Sequence, residues 1–372
     1  MTIIRLCRTF PRQKSPGVGL HCFHFTQNIK IKTIIFTKFE NDKKLDIPSH
    51  AKLFEVRYAD LSFSKIEENL VRTVAIYFSK AMAEFVFFIT VMANLLTNRT
   101  TVTLIHLHSI NHIISAVLIK LLYNKPLVIN FGGTDLLRVK NKAWLRFLVS
   151  KADKVIFVSN SMEPDLALIL GKEKIRYIGN GVDLDFFQRN REPNYFQIVA
   201  IGNLRWQKGY KYLIDAIKKT AENFENVRLF IIGEGRDRLE IEAQIRKNNI
   251  EDKVVLCGAC SREDVRNILN ESYLFVCSSV SEGLPKALLE AIATETPVVV
   301  TDVGDCKDVA AGVGITVNPA SSAELANAIQ KILSNSKLHT RFKISCREKR
   351  NIHSWKNMVR EVSKAYSELG IV

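Results

Sequence analysis

The 372-residue chain reads as an α/β protein built from two doubly wound parallel sheets. Three observations carry that reading. Short β-branched runs alternate with longer stretches of helical period, the pattern of parallel strands covered by helices. The alternation pauses once, at the turn cluster Gly179-Asn180-Gly181-Val182-Asp183 and the polar, proline-containing residues 190–194, and then restarts. The length exceeds one ordinary core and suits two domains of ~150–200 residues each. The expected divisions are 1–190, 191–350 and a terminal helix at 351–372 placed to pack back on the N-terminal domain.

In the first half, strands are expected at 2–6, 33–36, 53–56, 102–106, 127–130, 154–158 and 175–178. Helices are expected at 20–29, 66–96, 112–122, 141–150 and 162–170. The second half repeats the scheme with strands at 197–201, 228–232, 254–256, 273–277, 298–301 and 314–317. Its helices fall at 210–220, 236–247, 263–269, 286–293, 323–333, 338–349 and 355–369. In such sheets ligands bind at the carboxyl ends of the strands, and two such domains direct attention to the cleft between them.

Apolar residues make up 47% of the chain and charged residues 24%, which excludes a disordered or fibrous protein. The net charge of +15 favours an anionic partner. It is concentrated in residues 1–190, with 27 basic against 15 acidic side chains; residues 191–372 carry 26 against 23. Long basic runs are absent and the cluster Arg347, Lys349, Arg350 sits in an amphipathic helix, so no nucleic-acid partner is expected. The most apolar run, 85–93, is nine residues long, short of the ~20 that span a bilayer. Arg5 and Arg8 interrupt what would be the apolar part of a secretory signal. Seven scattered cysteines suit a reducing, cytoplasmic compartment. Cys257-Gly-Ala-Cys260 has zinc or redox spacing, but no second pair follows, and buried small hydrophobes are the expected role.

The chemistry concentrates in two strand-to-helix turns. In Ser278-Ser279-Val280-Ser281-Glu282-Gly283-Leu284-Pro285-Lys286, a helix is expected to open at Pro285, because proline suits the first helical position. The free amides at Lys286 and beyond then make a phosphate site. Glu290 lies ~7.5 Å up the axis at ~1.5 Å per residue and can accept both hydrogen bonds of a ribose diol, while Glu282 meets a sugar. Two competing readings are a capping box from Ser279 to Glu282, which would bury Pro285 inside a helix, and a Glu290 that only balances the helix dipole. In Gly202-Asn203-Leu204-Arg205-Trp206-Gln207-Lys208-Gly209, Arg205 and Lys208 stand where two cations can neutralise a diphosphate. Ser15-Pro16-Gly17-Val18-Gly19 offers a further turn for close backbone approach to phosphate, although it is not a full dinucleotide fingerprint. No P-loop sequence is present, which excludes a P-loop kinase.

Taken together, these residues resemble the retaining glycosyltransferases of family 4, which have the GT-B fold of two Rossmann-like domains facing across a cleft. Glu282 through Glu290 matches that family's E-x7-E motif, and Gly202 through Gly209 is similar to its G-R-L-x-x-x-K-G turn. Ile232-Gly233-Glu234-Gly235, Thr296-Pro297-Val298-Val299 and Asp302-Val303-Gly304 follow in the family's order, as do His106-Leu107-His108-Ser109 and Phe131-Gly132-Gly133-Thr134-Asp135. The resemblance implies an acceptor-binding domain followed by a nucleotide-sugar donor domain, with the sugar nucleotide as co-substrate and no separate cofactor. It implies that Lys208 and Arg205 hold the diphosphate, that Glu282 contacts the transferred sugar and that Glu290 binds ribose. Asn203, Gly283, Leu284 and Lys286 would line the donor, the backbone near Cys260 would read the base, and Gly17 and Gly19 would close over the phosphates. His108 and Asp135 are the acceptor-side candidates. Two departures stand out: Asn203 occupies the family's arginine position, and Gly132 occupies that of an active-site histidine.

The expected activity is metal-independent transfer of a hexose, from UDP in preference to GDP, to a saccharide or lipid-linked saccharide of polysaccharide, lipopolysaccharide or glycolipid synthesis. A sugar-nucleotide-binding protein without turnover, or an epimerase or hydrolase of the same fold, is the alternative. The basic first half and the 85–93 segment suggest peripheral docking on an anionic membrane face.

Overall fold

The computed structural model describes residues 1–7, 20–29, 31–38, 47–56 and 70–371. The chain divides into two units. The first comprises Met1–Phe157, Met162–Ile178 and Val359–Val372; the second comprises Val158–Ser161 and Gly179–Met358.

Seven strands build the first unit: β1 (Thr2–Cys7), β2 (Lys32–Lys38), β3 (Ala51–Val56), β4 (Leu104–Leu107), β5 (Leu127–Phe131), β6 (Lys154–Phe157) and β7 (Ile175–Tyr177). They are parallel and ordered β3-β2-β1-β4-β5-β6-β7, so the winding reverses between β1 and β4. Every residue of β1, β4 and β5 is buried, because helices cover both faces of a sheet of this kind. The helices are α1 (Leu20–Asn28), α2 (Leu70–Thr97), α3 (Ile113–Tyr123), α4 (Gly133–Lys140), α5 (Ala143–Val149) and α6 (Glu163–Leu170). Asn124 ends α3 in the left-handed region at φ 47, which asparagine tolerates better than branched residues. No described helix is long and apolar enough to cross a membrane.

The second unit repeats the winding with six parallel strands: β8 (Asn194–Ile201), β9 (Arg228–Ile232), β10 (Val254–Gly258), β11 (Ser272–Cys277), β12 (Val298–Thr301) and β13 (Gly314–Val317). Their order is β10-β9-β8-β11-β12-β13, with the reversal between β8 and β11. The helices are α7 (Tyr210–Ala221), α8 (Arg238–Lys247), α9 (Arg262–Glu271), α10 (Lys286–Ala293), α11 (Cys306–Ala310), α12 (Ser322–Leu333), α13 (Ser336–Lys349) and α14 (Trp355–Ser367). Alternation along β8 sends Ile198 and Ala200 into one core with α7, α8 and α12. Val199 goes to the other, with α9, α10 and α11. From Val359 onward α14 groups with the first unit. There Lys154 pairs with Glu368 at 2.6 Å and Arg176 with Glu361 at 3.2 Å.

The doubly wound α/β class holds for both sheets. Two helices depart from the expected set. α4 begins inside Phe131-Gly132-Gly133-Thr134-Asp135, which reads locally as a turn; the Asp135 carboxylate accepts the Gly132 amide at 3.2 Å, and Leu136 and Val139 are buried. α11 is five residues long, too short for a periodic signal. The helix expected at 66–96 is described over Leu70–Thr97. Residues 15–19, with Gly17 and Gly19, lie outside the described residues.

Candidate functional site

Where β8 and β11 part, their carboxyl ends leave the crevice that a doubly wound sheet offers to ligands. The chain leaving β8 forms a short turn at Trp206–Lys208, closed by Gly209 at φ 63. A Cβ on Gly209 would stand 2.0 Å from the Ser278 carbonyl oxygen, so only glycine permits this approach. The contact knits the two loops together. The Gln207 carbonyl accepts the amides of Val280 at 2.7 Å and Ser281 at 3.4 Å. The Ser278 hydroxyl donates to the Lys208 carbonyl at 2.9 Å. Lys208 Nζ consequently lies 3.0 Å from Glu282 Oε1, with each side chain 21% exposed. Glu282 occupies one of the three ammonium donors of Lys208.

A second clamp holds the Glu282–Leu284 segment from the other side. Gly304 adopts φ 52, and a Cβ there would meet the carbonyl oxygens of Gly283 at 2.2 Å and Glu282 at 2.4 Å. The Asp305 amide donates to the Gly283 carbonyl at 2.9 Å. The Asp305 carboxylate, in turn, accepts the Ser159 hydroxyl at 2.7 Å and the Asn160 amide at 2.9 Å. Asn180 Nδ2 donates to the Leu284 carbonyl at 2.8 Å. Pro285 then acts as the N-cap of α10 with an extended ψ of 126, so the helix begins at Lys286, one residue after the expected start. It supplies no side-chain cap to the first turn of α10. The competing helix start at Ser279 is not used: its carbonyl accepts the Thr301 hydroxyl at 2.6 Å.

One turn into α10, burial raises the Glu290 carboxyl above its ordinary range, opposed by the Lys286 and Arg262 charges. Burial lowers the Lys286 ammonium, opposed by Glu290. Behind Lys208, hydrogen bonding from Cys306 holds the Cys277 thiol down to about 7, with the Ser279 hydrogen bond and the Lys208 charge adding to the effect.

The structure therefore brings Lys208, Glu282, Gly283 and Leu284 into one built assembly, with Lys286 and Glu290 on the helix that follows. Arg205 and Asn203 are exposed on the same loop, and Arg205 makes no ion pair among the described residues. Cys257 and Cys260 are half-buried against the α9–α10 side core, short of the full burial expected of them. Burial pushes the Cys257 thiol up to about 11. In the first unit His108 contacts Arg5 at 3.3 Å and Asn130 at 3.4 Å. His106 is fully buried, held by Arg5 Nη1 at 2.9 Å, the Tyr366 hydroxyl and Asn130 Oδ1 at 3.0 Å, a set of side chains that spends both ring nitrogens. Asp135 caps α4, and burial raises its carboxyl.

Sequence reasoning assigned no role to Ser159, Asn180, Gln207, Gly304 or Asp305. Asn180, Gln207 and Gly304 stand inside the motifs named above, whereas the Ser159–Asp305 contact spans 146 positions and leaves no local signal. Asp183-Leu184-Asp185 carries a metal-like Asp-x-Asp spacing. Its Asp183 is committed to Arg262 at 3.0 Å and to the Phe186 amide at 3.1 Å.

Residues 182–349 match the family described as Glycosyl transferases group 1, and residues 52–186 match Glycosyltransferase Family 4. The chain is 25% identical over 247 residues to a phosphatidylinositol N-acetylglucosaminyltransferase subunit of Arabidopsis thaliana. That alignment covers 63% of this chain and 54% of the relative, so the chain spans about half the relative's length. In structure it is similar to a sucrose-phosphate synthase from Thermosynechococcus elongatus, with TM-score 0.78, 18% identity and coverage of 99% and 98% of the two chains. It is likewise similar to Anabaena HepE in complex with UDP, with TM-score 0.74, 16% identity and coverage of 99% and 100%. Two Rossmann-like sheets, a lysine and a glutamate joined at the second sheet's switch point and these matches lead to one conclusion: the chain belongs to the group 1 glycosyl transferases, of GT-B fold.

Proposed function

We propose that this chain is a retaining glycosyltransferase that moves a hexose from a nucleoside diphosphate, UDP in preference to GDP, to a saccharide or lipid-linked saccharide. The observation that carries the reading is the Lys208–Glu282 pair beside the start of α10. The two remaining Lys208 donors and the first-turn amides of α10 meet the diphosphate, with Arg205 as an exposed second cation. These fixed positive groups stabilise the charge that develops on the leaving diphosphate, so no metal ion is required. Glu282 orients the transferred sugar. The acceptor oxygen bonds to the anomeric carbon on the face from which the phosphate oxygen departs, and that phosphate oxygen takes the acceptor proton. The UDP bound by HepE supports the choice of base. The name of the Arabidopsis relative supports a lipid acceptor.

Incubation of the chain with UDP-, GDP- and ADP-sugars and a membrane extract tests this. Transfer from a UDP-sugar with the anomeric configuration kept, and unaffected by a chelator, is the expected result. Isomerised sugar, free sugar without transfer, or binding without turnover would replace the reading with one of its rivals.

Glu290, as the ribose-diol acceptor, supplies a pH signature. Its raised folded-state value means that acidification protonates it before an ordinary glutamate, so UDP affinity falls at a higher pH than a solvated carboxylate would cause. The same shift makes the folded state bind the proton longer than the unfolded chain. Stability from this group is therefore full below the unfolded value and declines as pH rises through the folded one. Glu290→Gln is expected to weaken UDP binding and flatten its pH dependence in calorimetric titrations. An unchanged profile would remove Glu290 from the donor site.

A further inference from the structure

Among the described residues, twelve of the nineteen exposed large apolar side chains lie between Met82 and Leu168 of the first unit. On α3 they form a stripe, Ile114, Leu118, Leu121 and Leu122, opposite the buried Ile113, Ala116 and Val117. On α5 they are Trp144 and Phe147, while Leu145 and Val149 face the core. On α2, Met82, Phe85 and Ile89 are outside while Phe87 and Val91 are buried. These helices are neighbours: α3 packs on α2 and on α5, and α5 packs on α4. The core therefore already has its own apolar faces, and this second set lies on the outside of the unit.

Charge identifies what covers it. Residues 82–151 contain eight basic side chains, from Arg99 to Lys151, and two acidic ones, Glu84 and Asp135. Both acids turn inward, with side chains 16% and 10% exposed; Glu84 accepts the Ser115 hydroxyl, and Asp135 caps α4. Arg138, Lys140, Arg146 and Lys151 stay exposed around Trp144 and Phe147, and Lys151 lies 4.5 Å from the Phe147 ring centre. Lys140, Arg146, Phe147 and Leu168 also line a groove of about 560 Å³, where Asp165 of α6 pairs with Lys140 at 2.9 Å. Exposed apolar groups interleaved with a surplus of basic side chains, and an aromatic with a polar tip among them, match the headgroup boundary of an anionic bilayer. A second copy of the chain would oppose like charges across such a contact.

We propose that the α3–α5 face, centred on Trp144 and Phe147, docks this chain on an anionic phospholipid surface. Lys140, Arg146 and Lys151 meet the headgroups, and the apolar side chains enter the acyl boundary. This extends the site from the 85–93 segment to a face spanning three helices. It is independent of the transfer reading, because vesicle binding is measured without donor or acceptor.

The test is flotation of the full chain with phosphatidylcholine vesicles, with and without phosphatidylglycerol, at low and high salt. Binding that requires phosphatidylglycerol and weakens with salt is expected. The double variant Trp144→Ser, Phe147→Ser should lower the partition coefficient about tenfold or more. Arg146→Gln with Lys151→Gln should lower it only on the anionic vesicles. These side chains are exposed, so thermal unfolding and UDP binding by the second unit should stay unchanged. Equal binding to neutral vesicles, variants that bind like the parent, or a self-association lost in the variants without any vesicle binding would overturn the proposal.

Discussion

Lys208→Ala is expected to lower turnover with a sugar nucleotide by about 10²–10³-fold, the usual loss when one fixed donor to developing charge is removed. The lysine sits at the junction of two clamped loops, its backbone held by Ser278 and its ammonium 3.0 Å from Glu282. Its charge is therefore placed before any donor arrives, and little reorganisation accompanies the reaction. The fold should survive the change. A part-buried, hydrogen-bonded pair with both side chains 21% exposed contributes about 1.5–3 kcal/mol, less than the whole stability of a domain, and Glu282 left alone remains in contact with water. Steady-state kinetics alongside thermal unfolding check both halves of the expectation. Near-parental turnover in a folded variant would dismiss Lys208 as the diphosphate ligand.

Gly209→Ala acts on the same site through the backbone. The left-handed conformation at φ 63 and the 2.0 Å approach of a new Cβ to the Ser278 carbonyl both oppose it. Together they should cost about 2–4 kcal/mol. For a unit of this size that lowers the melting temperature by roughly 5–12 °C. Relief of the clash separates the two loops, so the Lys208–Glu282 pair opens and UDP affinity falls as well. Gly283→Ala is the control for stability. Its Cβ would meet Ser159 Cβ at an ordinary 3.5 Å, so the melting temperature should barely move. If Gly209→Ala melts and binds UDP like the parent, the loops are not held by this contact.

Local sequence foretold much of this site because its parts are consecutive. Gly202 to Gly209 and Ser278 to Glu290 are each one strand end, one turn and one helix start, and turn chemistry is legible over such lengths. Pro285 announced the α10 boundary within one residue. The clamp behind the turn was not legible: Asp305 reaches Ser159, and Asn180 reaches Leu284, across 146 and 104 positions. Helix α4 was missed because Gly132, Gly133 and Thr134 favour turns, and the Asp135 cap with the burial of Leu136 and Val139 overrides that preference. His106, in β4, has both its nitrogens consumed in the folded unit by Arg5, Tyr366 and Asn130, which no local pattern shows.

From its residues alone, the chain declared two wound sheets, the turn that opens α10 and the chemical types gathered at the second sheet's switch point. Periodicity and turn preference act over a few residues, and those features need nothing more. Folding decided which carboxylate Lys208 would meet, which glycines let the loops touch, and which apolar side chains stay outside on α3 and α5. These outcomes depend on contacts between distant segments, whose geometry exists only after the sheets have formed.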